Sequence, residues 1–146
     1  MASLKKIFFI KARDFIHAGE ASIQIQNLLK SMHLDPGLVR RIGICSYEAE
    51  MNAVIHGGDG TVEMTIENDR LTLEISDDGP GIEDIDQAMR PGYSTASEEA
   101  REMGFGAGMG LPNMKNHADE IHLQSEPGMG TCARMRFTLT SGKSAP

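Results

Sequence analysis

Apolar positions along this chain recur with two different periods, and the change between them predicts its elements. Leu4 to Ile10 is an apolar, aromatic run that predicts a short strand. Asp14 offers a cap for a helix carrying Phe15, Ala18, Ala21, Ile25, Leu28 and Met32 at helical spacing. Asp35-Pro36 joins a cap residue to a proline at the first helical position. That pair predicts a second helix, running to about His56 and ended by Gly57-Gly58-Asp59-Gly60. The period then drops to two. Val62, Met64 and Ile66 alternate with Glu63, Thr65 and Glu67; after a turn at Asn68-Asp69, Leu71, Leu73 and Ile75 alternate with Thr72, Glu74 and Ser76. Gly79 to Met103 keeps neither period and reads as a functional lid or a disordered segment. A helix from about Met109 to Ala118 follows, then a strand around Ile121 to Gln124. A turn over Glu126-Pro127-Gly128-Met129-Gly130 leads to a last strand, Thr131 to Leu139, and Ser141 to Pro146 reads as a frayed tail.

Strands with one polar face need helices on the other side only. The expected fold is therefore α+β: a two-layer α/β sandwich with a mixed, mostly antiparallel sheet. A doubly wound sheet is excluded, because the hairpin and the final strand pair have no crossover helices. The 146 residues suffice for one core, with no repeat and no internal boundary, so a single domain over 1–140 and a tail over 141–146 are expected. A net charge of −7 without a basic patch argues against nucleic acid or an anionic membrane as the main partner. Cys45 and Cys132 lack metal-ligand spacing and read as reduced thiols. The apolar run Ile7 to Ile10 is too short for a signal peptide or a spanning helix, so a cytoplasmic protein is expected.

Four places break the pattern. Gly104-Phe105-Gly106-Ala107-Gly108-Met109-Gly110-Leu111 carries glycine at every second position and opens a helix. Bare amides and a helix N-terminus suit a phosphate; a flexible linker fits the stretch equally well taken alone. Glu48 and Asn52, four apart, lie one above the other on the second helix, on a stripe shared with Cys45 and Ile55 that borders the core. As an isolated pair they read equally as an ordinary helix surface. Asp77 shares parity with Leu71, Leu73 and Ile75, so its carboxylate ends an inward row and needs a partner such as an adenine amino group. The other reading places it in the polar turn Asp77-Asp78-Gly79-Pro80-Gly81. Thr131 starts the inward row Ala133, Met135, Phe137 and Leu139.

Taken in order, Glu48-x-x-x-Asn52, Asp77-x-Gly79-x-Gly81, the Gly104 to Leu111 repeat and Gly128-x-Gly130-Thr131 resemble the motifs of the GHKL ATP-binding superfamily, over roughly Pro36 to Leu139. Asp84-Ile85-Asp86, Gly92-Tyr93-Ser94-Thr95 and Ser125-Glu126-Pro127-Gly128 resemble its small bacterial anti-sigma-factor serine/threonine kinases, in particular the stressosome switch kinases. The resemblance implies a mixed sheet with helices on one face. It also implies Mg-ATP as phosphoryl donor and a STAS-domain protein as substrate; some such kinases bind a sigma factor or a phosphatase directly. A monomer or a homodimer is expected.

By this resemblance Glu48 is the general base and Asn52 the Mg²⁺ ligand. Asp77 binds the adenine amine, with Gly79 and Gly81 giving the base room. Gly104, Gly106, Ala107, Gly108, Met109, Gly110 and Leu111 wrap the phosphates, and Thr131 lies by the adenine. Arg101 either faces the γ-phosphate or pairs with Glu98 or Glu102, and Lys115 is expected in solvent. His56 suits a cationic or capping role at its helix end and reads as structural rather than catalytic. The rival to a kinase is a nucleotide-gated module that binds a sigma factor or other regulator with little chemistry. A histidine-kinase catalytic domain is a weaker reading, since no dimerisation helix with a phosphoacceptor histidine is seen; a topoisomerase or MutL type would need a transducer domain.

Overall fold

The computed structural model describes residues 3–56, 58–79, 89, 110–125 and 128–139 of the chain. Eight elements occur among them: β1 (Ser3–Ile10), α1 (Glu20–Ser31), α2 (Pro36–His56), β2 (Gly60–Glu67), β3 (Arg70–Asp77), α3 (Gly110–His117), β4 (Glu120–Ser125) and β5 (Thr131–Thr138). The strands form one sheet in the order β1-β2-β3-β5-β4, and every neighbouring pair is antiparallel. The α+β class and the open, one-sided sheet expected from the alternation are what the fold displays.

Parity along the strands decides what is buried. Val62 and Met64, Leu71 and Leu73, and Met135 and Phe137 form one inner face with Ile10, and all are buried. Against them lie Ile25 and Leu29 of α1, Ile42, Cys45 and Val54 of α2, and Leu111 and Met114 of α3. The opposite face is polar, with Glu74 of β3 bonded to its cross-strand neighbour Arg134 at 3.1 Å. α2 starts as its sequence predicts: the Asp35 carboxylate accepts the Leu38 amide at 3.1 Å.

α1 does not start at Asp14. The Asp14 carboxylate instead accepts the His17 amide and ring in a local turn, and Gly19, with φ of 95°, precedes the first helical residue Glu20. No side chain of α1 caps this end. Its cap comes from α2: the buried Glu50 carboxylate accepts the amides of Gly19 at 3.0 Å, Ala21 at 3.3 Å and Ser22 at 3.0 Å. Burial pushes the Glu50 carboxyl above its ordinary value, and the three amides only partly offset this. Ser22 and Ser46 complete the contact by bonding to the Gly43 carbonyl, so small residues let the two helices close together.

Candidate nucleotide site

α2 carries the polar stripe of the site, and Glu48, Asn52 and His56 follow one another every four residues along it. At 1.5 Å per residue the stripe spans about 12 Å of helix axis. Glu48 and Asn52 are half-buried. Glu48 Oε2 accepts the side-chain amide of Asn113, on α3, at 3.0 Å. Gly110, the first residue of α3, packs directly over the pair. A β-carbon there would lie 3.1 Å from Asn52 Oδ1, tighter than an ordinary contact, and 3.5 Å from Glu48 Oε1, so glycine gives the Asn52 side chain its room. Leu111, next along α3, turns its side chain into the core.

The second half of the site lies where the sheet ends. Register sets Asp77, the last residue of β3, opposite both Gly60 and Thr131. Asp77 Oδ1 accepts the Gly79 amide at 2.9 Å. Burial raises the Asp77 carboxyl above its usual value, against the pull of the Gly79 and Thr131 amides. Two glycines are demanded here by close approach. A side chain on Gly58 would sit 2.7 Å from Asp77 Oδ1 and 2.6 Å from the Gly79 nitrogen. Gly130, at φ of 86°, leaves no room between itself and the Asp77 carbonyl. The Thr131 hydroxyl shares a 3.0 Å bond with that of Ser125.

His56 ends the α2 stripe and feels the charge of Asp77. Burial holds its ring below the ordinary histidine value; the Asp77 charge pulls it up and Arg13 pulls it down. The shift disfavours the cationic form of the ring at this helix end and leaves the structural reading of His56 in place. The folded protein therefore binds a proton here less readily than the unfolded chain, so the stability that neutral His56 contributes is complete above the unfolded value of about 6.5. It is lost as pH falls through the lowered folded value. Chemical denaturation at pH 7 and pH 5 is expected to show a larger loss for wild type than for His56→Gln. Glu50 and Asp77, with raised values, act in the opposite sense in both proteins; equal losses would contradict a neutral buried ring.

On the far side of Glu48 an open groove of about 950 Å³ runs between α1 and α2. Ile23, Val39, Ile44 and Tyr47 line it together with Lys30 and Arg40.

Of the residues expected at the site, the structure brings Glu48, Asn52 and Gly110 together at one end and Asp77, Gly79 and Thr131 at the other. Arg101, Gly81, Gly104, Gly106, Ala107, Gly108 and Met109 lie outside the described residues, as does most of the expected lid. Lys115 is exposed. Two participants went unseen in sequence. Gly58 reads only as part of a helix stop, and Asn113 carries no signal, because its reach to Glu48 depends on how α3 docks. No helix among the described residues is long and apolar enough to cross a membrane.

With this geometry in view, comparison with known proteins is informative. The chain belongs to the family described as histidine kinase-, DNA gyrase B-, and HSP90-like ATPase, whose match covers residues 38–141. Within it, the chain is related to anti-sigma F factors. It is 38% identical over 117 residues to that of Thermoanaerobacter sp. (strain X514), covering 75% of this chain and 78% of the relative. The anti-sigma F factor of Bacillus subtilis (strain 168) is 34% identical over 102 residues, 66% of each chain. Among solved structures, the RsbU and RsbW domains of Rv1364c from Mycobacterium tuberculosis superpose with a TM-score of 0.60 at 17% identity, covering 92% of this chain and 32% of that one. A mycobacterial sensor histidine kinase, MprB, gives 0.54 at 15% identity, covering 92% of this chain and 97% of that one. At such identities these two speak for the fold.

Proposed function

We propose that the chain is a cytoplasmic, Mg-ATP-dependent serine/threonine protein kinase that phosphorylates a STAS-domain partner in a partner-switching pathway. The observation that carries this reading is Glu48: a carboxylate on the site's helix stripe, held through one oxygen by Asn113 and bordered by an open groove. A module that only binds has no need of a base there. The donor set suits the nucleotide. A half-buried carboxylate at the strand end accepts a base amine, and a side chain at Gly58 would intrude on it. Asn52 offers the neutral oxygen that Mg²⁺ takes alongside phosphate and water oxygens.

Mg-ATP supplies the phosphoryl group and much of the charge neutralisation that its transfer requires. Asp77 orients the adenine, with Gly79 and Thr131 beside it, and Asn52 holds the metal end. The amides of Gly110 and Leu111 and the glycine run before them receive the phosphates. The acceptor protein enters along the groove between α1 and α2. Glu48 takes the proton of its serine or threonine hydroxyl while that oxygen bonds the γ-phosphorus and the bond to ADP breaks. Arg101 is a candidate for the γ-phosphate by the family resemblance alone, with pairing to Glu98 or Glu102 as its alternative.

The test is incubation of the protein with Mg-ATP and candidate STAS partners, with the product read by mass spectrometry. A phosphorylated serine or threonine on the partner is expected. ATP binding without any labelled partner would favour the second reading, a nucleotide-gated regulator-binding module. The name of the relatives, anti-sigma F factor, supports that reading's occupant, a sigma factor.

A further inference from the structure

We propose that Asn113 is a positioning residue for Glu48, an inference that rests on the kinase reading and assigns that site a further member. The two oxygens of Glu48 are not equivalent. Oε2 accepts the Asn113 amide at 3.0 Å, while Oε1 lies on the side of Gly110 and Asn52. An ionised carboxylate only accepts hydrogen bonds, so the NH2 end of Asn113 is the end that faces it.

The bond restrains a side chain that has three rotatable torsions and a partly open surrounding. A glutamate on a helix stripe otherwise samples several rotamers, and only some point an oxygen at an incoming hydroxyl. With Oε2 held, Oε1 is the atom left to take the proton, and the rotamer is set before the acceptor arrives. Asn113 stands three residues after Gly110 on the same face of α3, so one rigid turn fixes both the backbone over Asn52 and the amide against Glu48. The docking of α3 on α2 does not depend on this bond. Leu111 and Met114 are buried in the core, Cys45 bonds to the Met114 carbonyl, and Arg41 donates to the His117 carbonyl at 2.9 Å.

Asn113→Leu keeps the size and removes the donor. It is expected to lower kcat for phosphate transfer by about 10- to 100-fold, the cost of a misplaced reacting group, with the KM for ATP and the melting temperature unchanged. In a Glu48→Gln background the same substitution is expected to change nothing further. In nucleotide-free protein, Glu48→Gln should shift the NMR signals of the Asn113 side-chain amide, a readout that needs neither activity nor the leucine variant. An equal loss in both backgrounds, a loss confined to ATP affinity, or amide signals blind to Glu48→Gln would each overturn the proposal. Wild-type protein that transfers no phosphate overturns the kinase reading and the positioning role with it. The amide signals then tell that failure apart from absence of the contact.

Discussion

Glu48→Gln is expected to lower phosphate transfer to the partner by about 10²–10⁴-fold, the range that a positioned general base contributes. The substitution is chosen for what it keeps. Glutamine has the length of glutamate, and its carbonyl oxygen can still accept the Asn113 amide, so α3 should remain docked. What disappears is the ability to take a proton. Mg-ATP affinity should therefore hold, because Asp77 and Asn52, which carry the nucleotide in this account, are untouched. A rate assay run beside a binding titration checks both halves. Undiminished transfer would remove Glu48 from the chemistry, whereas lost ATP binding would mean that its role is to build the pocket.

Asp77→Asn should act on the opposite quantity. One Asp77 oxygen already serves the Gly79 amide at 2.9 Å. A carboxylate can satisfy that amide and still accept from an adenine amine. An asparagine cannot do both, because once its oxygen turns to Gly79 its NH2 meets the adenine NH2, donor against donor. A hydrogen bond to a charged group contributes about 1.5–3 kcal/mol, so ATP affinity should fall by about 10- to 100-fold. Titration calorimetry at constant pH measures it, and an unchanged affinity would move the adenine away from this end of the sheet. Burial raises the Asp77 carboxyl although the Gly79 and Thr131 amides pull the other way.

Much of the fold is legible in the sequence. Asp35-Pro36 marked the start of α2, and strand parity placed Leu71, Leu73 and Ile75 inward with Asp77 at the end of their row, because both rules act within a few residues. The start of α1 was not legible, since its cap is Glu50, 28 to 31 residues along the chain from the amides it serves. Asp14 satisfied the local rule for a cap and lost to a left-handed Gly19 and a carboxylate from another element. Separation in sequence also hid Gly58 and Asn113, the latter 65 residues from Glu48. A glycine run after a helix reads as a stop, and only the folded chain reveals that Gly58 lies against Asp77 and Gly79. Asn113 likewise acquires meaning from the docking of α3 across α2. Helix-end electrostatics favours a cation at His56, whereas burial lowers its pKa, a balance that only the folded chain reveals.

The central claim is that the strand end at Asp77 is an adenine pocket, and it is tested most directly by titrating the wild-type protein with Mg-ATP and Mg-GTP in a calorimeter. Guanine presents a carbonyl oxygen where adenine has its amine, so a carboxylate there should accept one base and repel the other. Saturable binding of ATP with GTP far weaker is the predicted result. Equal binding of the two, or no binding of ATP, would contradict the account.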